Sequence, residues 1–131
     1  MMEPILWNSS VLAYVIPGTV TPEKTVFPTP DELEFQVGFV VYKAGGVVKP
    51  HCHAPLTRTI NRTCEVIIVK QGRCEVDLYN NDRQLVVSRK LKKGDVLILV
   101  DGGHGFRMLE DTILLEIKQG PYFGLSEKES L

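Results

Sequence analysis

The chain has little of what marks a disulfide-rich or a nucleic-acid-binding protein. Its three cysteines, Cys52, Cys64 and Cys74, are odd in number and show no paired spacing, so we expect no disulfide framework. Lys and Arg total 15 against 16 Asp and Glu, which gives a net charge of -1 and no basic excess. Nucleic acid is therefore not an expected partner, because its phosphates are bound by clustered positive charge.

Long apolar runs are absent as well. The longest run near the N-terminus covers residues 11–16, which is too short to span a bilayer, and no basic stretch precedes it as in a secretory signal. We therefore expect no membrane partner and a cytoplasmic location, where cysteines stay reduced.

Helical periodicity is missing throughout, and the apolar segments are short and rich in Val, Ile, Leu, Phe and Tyr. Such segments, separated by Gly, Pro and Asn-Asp clusters, are typical of an all-β fold. Seven or eight strands in about a hundred residues predict a sandwich or barrel. The predicted strands are 11–16, 35–43, 63–70, 73–79, 84–91, 95–100, 105–109 and 112–118.

The turns between these segments have recognisable chemistry. A tight hairpin is predicted at Gln71-Gly72, where Gly supplies a positive φ. Further turns are predicted at 80–82 and 93–95. Four prolines in residues 17–34 indicate an irregular arm, which is expected to end in a helical turn at 30–33.

All three histidines lie at informative positions. One residue separates His51 from His53, so on a strand both side chains would point to the same face. Their Cα atoms would then lie roughly 6.5 Å apart, and both imidazoles could converge on one ion with metal–nitrogen distances near 2.1 Å. Cys52 would point to the opposite face, which argues against it as a ligand.

Glu65 shares its predicted face with Thr63, Ile67 and Val69, so we expect its carboxylate to point into the interior. An ionised carboxylate there is costly unless it is paired or bound to a metal. His104 follows Gly102 and Gly103, which allow a turn that swings its imidazole inward. The alternative for His104 is a turn residue with its ring in solvent.

The spacing of these residues resembles the two motifs of the cupin superfamily. The first motif is matched by Gly45-x5-His51-x-His53 followed by Glu65-x6-Gly72, and the second, more loosely, by Gly94-x5-Val100-x-Gly102-x-His104. The stretch between His53 and Glu65 is longer than in most cupins, so residues 54–64 must loop out.

The resemblance implies a cupin-type double-stranded β-helix, or jelly-roll barrel, over residues 35–122. Residues 1–34 would form an irregular N-terminal arm with an edge strand, and residues 123–131 a flexible tail. It also implies one divalent transition metal ion held by His51, His53, Glu65 and His104. Nitrogen and carboxylate ligands suit Zn, Fe, Ni, Mn, Co or Cu rather than Ca.

A closer likeness is to small bacterial cupins linked to sugar-nucleotide and polysaccharide biosynthesis. It is carried by the segments Phe27-Pro28-Thr29-Pro30, residues 102–106 and residues 115–122. This likeness implies a small-molecule substrate, a homodimer and a metal-dependent isomerase or epimerase acting on a sugar or sugar nucleotide. The alternatives are an Fe(II)-dependent dioxygenase acting on a small molecule and a non-catalytic binding cupin.

Four residues are weak catalytic candidates. Arg58 could clamp a carboxylate or phosphate, although an exposed loop arginine is an equal alternative. Tyr42 and Lys118 lie on predicted strands and could line the cavity, and the weak acid/base candidates are Lys118, Tyr42 and Glu116. Phe106 and Met108 share the predicted face of His104 and form either an apolar pocket wall or ordinary core.

Overall fold

A computed structural model describes the whole chain, Met1–Leu131. The chain divides into two compact units. One unit joins Met1–Val20 to Thr63–Leu131 and contains every strand of the fold, whereas the other is Thr21–Arg62. The chain has no helix with the length and apolar character needed to cross a bilayer.

The larger unit is built from eight strands and one short 3-10 helix. The strands are β1 (Glu3–Trp7), β2 (Ser10–Ile16), β3 (Glu65–Gln71), β4 (Arg73–Tyr79), β5 (Leu85–Lys92), β6 (Val96–Leu99), β7 (Gly103–Met108) and β8 (Ile113–Lys118). The 3-10 helix spans Gly124–Glu127 in the predicted tail.

The strands form two antiparallel sheets. One has five strands in the order β1-β2-β6-β3-β8, and the other has three in the order β5-β4-β7. The predicted all-β class is confirmed, and two such sheets are compatible with a β-sandwich. Strands β1 and β8 are the edges of the larger sheet, and β5 and β7 those of the smaller one, so neither sheet closes on itself.

The core contains side chains from both sheets. Strand alternation explains its composition, because every second residue of a strand faces the same side. The buried cluster consists of Ile5, Ala13, Val15, Ile67, Val69, Leu97 and Leu99 from the larger sheet and Cys74, Val76, Leu78 and Leu91 from the smaller one.

The connections between strands partly match the predicted turns. Gly72 has the expected positive φ of 83°, but it links β3 of one sheet to β4 of the other, so the predicted hairpin at Gln71-Gly72 is wrong. A Cβ at Gly72 would lie 2.2 Å from the Asp111 carbonyl oxygen, which explains the glycine. The turn after Asn80 does join the paired strands β4 and β5, and its left-handed residue is Arg83.

The unit Thr21–Arg62 contains no strand, so the strand predicted at 35–43 is wrong. A single bridge joins Val26 to Phe39. At the predicted helical turn, the structure has one hydrogen-bonded turn, in which the Leu33 N–H donates to the Pro30 carbonyl. The Gln36 amide also donates to the carbonyls of Pro30 and Leu33, so this side chain satisfies carbonyls of the loop.

Two further features of the larger unit lie outside the predictions. Strand β1 was not predicted. It spans Glu3–Trp7 and pairs with β2 along its length. The Arg83 guanidinium donates a hydrogen bond to the carbonyl oxygen of Ser130, which lies in the C-terminal tail, at 3.2 Å. The division into arm, barrel and flexible tail stays a prediction.

An ionic network lies on the face of the smaller sheet opposite the core. Arg107 on β7 bonds to both Glu75 and Asp77 on β4, and the Ser88 hydroxyl donates to Asp77 from β5. Asp77 is only 9% exposed. The Arg107 hydrogen bond, aided by Ser88, holds the pKa of the Asp77 carboxyl below its usual 3.8, although partial burial opposes the shift.

We expect Asp77→Asn to destabilise the protein at neutral pH and to have little effect in strong acid. A carboxyl whose pKa is lowered by folding stabilises the native state above its unfolded pKa, and this contribution is lost as the pH falls through the folded pKa. Urea unfolding of both proteins at pH 7 and at about pH 2 measures the difference. The exposed Asp31→Asn is the control, and equal destabilisation by Asp77→Asn at both pH values would contradict the prediction.

Candidate functional site

Glu65 is the only acidic residue among the predicted metal ligands. It begins β3, where Ile67 and Val69 on the same side of the strand belong to the core. Only 8% of Glu65 is exposed, so the prediction that its carboxylate lies in the interior is confirmed. Burial of a charged carboxylate requires compensating partners.

His104 provides one such partner. It is the second residue of β7 and follows Gly102, whose φ is 74°. A Cβ at Gly102 would lie 2.0 Å from the Tyr79 carbonyl oxygen, so this close turn requires glycine. His104 lies opposite the core residue Leu78 of β4, so its side chain is on the core-facing side of the sheet, but 34% of that side chain is exposed.

The two side chains connect the two sheets. His104 Nε2 on β7 lies 3.3 Å from Glu65 Oε2 on β3. Phe106, two residues along β7, packs against the core, and its ring lies edge-on to the His104 ring with centroids 5.9 Å apart. Phe106 therefore fixes one side of the imidazole through apolar packing.

Strand β8 adds two charged groups beside Glu65. Its register places Lys118 directly opposite Glu65 and Glu116 opposite Ile67. Directly opposed residues of antiparallel strands project from the same face. Glu116 and Lys118 therefore share the face of Glu65, which sequence reasoning did not anticipate because the pairing of β3 with β8 is not encoded in either segment alone.

These neighbours control the ionisation of Glu65. The His104 hydrogen bond is the largest effect and lowers the pKa of the Glu65 carboxyl, and the nearby His104 charge acts in the same direction. A hydrogen bond with Glu116 and the charge of Lys118 lower this pKa further, whereas burial raises it. The net effect favours the carboxylate, which is the form that binds metals.

His51 and His53 lie in the unit Thr21–Arg62, and both are exposed. No strand includes them, so the strand geometry predicted for this pair is wrong. Their rings nevertheless lie close, with centroids 5.3 Å apart and planes at 65°. His51 Nδ1 donates to the Lys49 carbonyl oxygen at 2.8 Å, which leaves Nε2 of the neutral ring with a free lone pair.

The Glu65–His104 pair has the spacing of two ligands of one ion. Two donor atoms that each lie about 2.1 Å from a metal are about 3.0 to 3.4 Å apart, depending on the coordination angle. The 3.3 Å between Glu65 and His104 falls in this range. The structure contains no group of three or more His, Cys, Asp or Glu side chains that could hold an ion.

The weaker candidates occupy different settings. Lys118 is partly buried beside Glu65, and its Nζ lies 5.3 Å from the centre of the Tyr122 ring. Tyr42 and Arg58 are exposed residues of Thr21–Arg62 and lie outside any strand. Met108 is 52% exposed, so it does not belong to the core as Phe106 does.

Sequence reasoning missed Gln119 at this end of β8. Its Oε1 accepts a hydrogen bond from the Cys64 N–H at 2.9 Å, directly before Glu65. Its Nε2 is buried and has no hydrogen-bond partner. The sequence does not reveal this hydrogen bond, because a polar residue immediately after a strand is as easily explained by exposure to solvent.

No protein-family model, curated protein or solved structure matches this chain.

We expect His104→Ala to lower the free energy of unfolding by about 1–3 kcal/mol, because it leaves the buried Glu65 carboxylate without its main hydrogen-bond donor. Glu65→Gln in the same background should add less than it does alone, since the two residues interact directly. Urea unfolding of the two single variants and the double variant measures this coupling. Additive effects would contradict a direct interaction, and Arg83→Ala, which alters an exposed ion pair, serves as the control.

Proposed function

We propose that this protein binds one divalent transition metal ion through Glu65 and His104 in a cupin-type barrel. The observation that carries the proposal is the spacing of these two side chains, 3.3 Å across the two sheets. A carboxylate oxygen and an imidazole nitrogen at this distance suit two positions around one ion. The likeness of the sequence to the cupin motifs adds His51 and His53 as the remaining ligands.

The protonation states of the chain favour this role. Metals bind the carboxylate and the neutral imidazole. A metal ion at His104 Nε2 would replace the hydrogen bond that lowers the pKa of the Glu65 carboxyl, and the positive charge of the ion would itself favour the carboxylate. The hydrogen bond from His51 Nδ1 directs the free lone pair of the neutral ring to Nε2. Hydrogen bonding of the second ring nitrogen to a carbonyl is the usual arrangement for a histidine that binds a metal.

For the reaction, we propose an isomerase or epimerase acting on a sugar or sugar nucleotide. A bound metal ion would act as a Lewis acid that polarises a substrate carbonyl. The feature that favours proton transfer is the placement of Glu116 and Lys118 on the face of Glu65. A carboxyl group and an amine side by side can take up and return a proton, which this reaction class requires.

The metal proposal is tested by elemental analysis of the protein after removal of metal with a chelator and reloading with Zn, Mn, Fe, Co, Ni or Cu. We expect about one ion per chain in the wild type, and a loss of retention in Glu65→Gln, His104→Ala and His51→Ala, since removal of one of four ligands sharply weakens binding. The loaded protein, incubated with nucleotide sugars in D2O, is expected to incorporate deuterium at carbon.

Two variants serve as matched controls. Cys52→Ser alters an exposed residue between the two histidines, and Glu75→Gln alters a carboxylate on the opposite face of the smaller sheet. Both should retain the metal. Retention by His104→Ala equal to that of the wild type would overturn the ligand set, whereas metal binding without deuterium incorporation would leave a binding protein and end the isomerase proposal.

A further inference from the structure

Segment 120–131 leaves the larger sheet beside the candidate site. Strand β8, which precedes it, ends with Lys118, and Lys118 lies directly opposite Glu65 on β3. Within the segment, the ring of Tyr122 lies 5.3 Å from Lys118 Nζ, which is the distance of a cation–π contact. Because Lys118 shares the face of Glu65, this contact holds the near end of the segment next to the buried carboxylate.

The far end of segment 120–131 is held at the smaller sheet by a single arginine. Arg83 lies in the turn between β4 and β5 and donates to the Ser130 carbonyl oxygen at 3.2 Å. Its guanidinium also forms an ion pair with Glu129 at 3.3 Å. The segment therefore bridges the two sheets, with one end on β8 and the other on the β4–β5 turn.

Leu131 places this far end beside the second member of the candidate pair. A Cβ added at Gly103 would lie 2.9 Å from Leu131 Cδ1, so the Leu131 side chain lies against β7. Gly103 directly precedes His104. Segment 120–131 thus starts beside Glu65 on one sheet and reaches the neighbour of His104 on the other, at the end of the sheets that holds the pair.

Between these two ends, segment 120–131 is held by few contacts. None of its residues is buried, and Phe123 and Leu125 are 72% and 82% exposed. The ion pair at the far end is exposed too, with 57% of the Arg83 side chain and 86% of the Glu129 side chain accessible. Exposed ion pairs contribute little to stability. A segment with few buried contacts can open locally while the sheets stay folded.

We infer that segment 120–131 is a strap that covers the Glu65–His104 pair and admits a small-molecule ligand when its far end leaves Arg83. The exposed rings and side chains of Tyr122, Phe123 and Leu125 give the strap apolar surface that closure over a bound ligand would bury. The inference rests on the position of the site in the proposed function, but it does not require the pair to bind a metal. Either claim can therefore fail without the other.

The test is the rate at which diethyl pyrocarbonate modifies His104 in the full chain, followed by mass spectrometry of its peptides. A chelator is present, so that bound metal does not affect the rate. Arg83→Glu and Glu129→Arg should each accelerate modification of His104 several-fold, because each places like charges where the ion pair stood and so releases the strap. His51 and His53 are exposed residues of the other unit and serve as internal controls whose rates should not change.

Arg73→Glu is the matched control variant. Arg73 forms an ion pair with Glu110 at the opposite end of β4, and its side chain is 56% exposed, close to the 57% of Arg83. Loss of this pair should leave the His104 rate unchanged. The variant that combines Arg83→Glu with Glu129→Arg restores opposite charges and should slow the reaction back toward the wild-type rate.

Circular dichroism confirms that each variant is folded. Equal His104 rates in the wild type and in both single variants would overturn the inference. A combined variant as fast as the single ones, an equal acceleration by Arg73→Glu, or an equal acceleration at His51 and His53 would overturn it as well.

Discussion

The burial of the Glu65 carboxylate is the constraint on which the candidate site depends. An ionised carboxylate inside a protein raises the free energy of the folded state unless other groups replace the hydrogen bonds that it made to water. In this chain, the replacement comes from His104, Glu116 and Lys118. The first of these lies on the other sheet and the remaining two on the neighbouring strand, so the ionised carboxylate requires β3, β7 and β8 to be placed together.

This constraint separates the end of the sheets that holds the candidate site from the packed part of the core. Along β3, Glu65 is followed on the same face by Ile67 and Val69, which are nearly inaccessible to solvent. Along β7, the partly exposed His104 is followed by Phe106, which packs on the core. Both strands therefore change from polar to apolar at the same level, and the Glu65–His104 pair lies at one end of the apolar cluster.

Much of this arrangement could be predicted from the sequence because it depends on local alternation. The period of two along β3 placed Glu65 inside, and the glycines before His104 predicted the turn that brings its ring inward. The predictions failed where pairing between distant segments decides the outcome. Gly72 has the conformation of a hairpin glycine, yet the chain crosses to the other sheet there.

The segment 35–43 shows the same limit. Its Val and Phe residues favour a strand, but β propensity stabilises a strand only when a partner and a packing face are available. The single bridge between Val26 and Phe39 is all the pairing that it makes. The roles of Glu116 and Lys118 were likewise not predictable in detail, since the register between β8 and β3 places them beside Glu65.

X-ray absorption spectroscopy of the zinc-loaded chain tests most directly whether the buried carboxylate and His104 belong to a metal centre. For a metal bound at this site, we expect a first shell of nitrogen and oxygen at about 2.0–2.2 Å and outer scattering from several imidazoles, which weakens in His104→Ala. A shell containing sulfur at about 2.3 Å, or a spectrum that His104→Ala leaves unchanged, would contradict it.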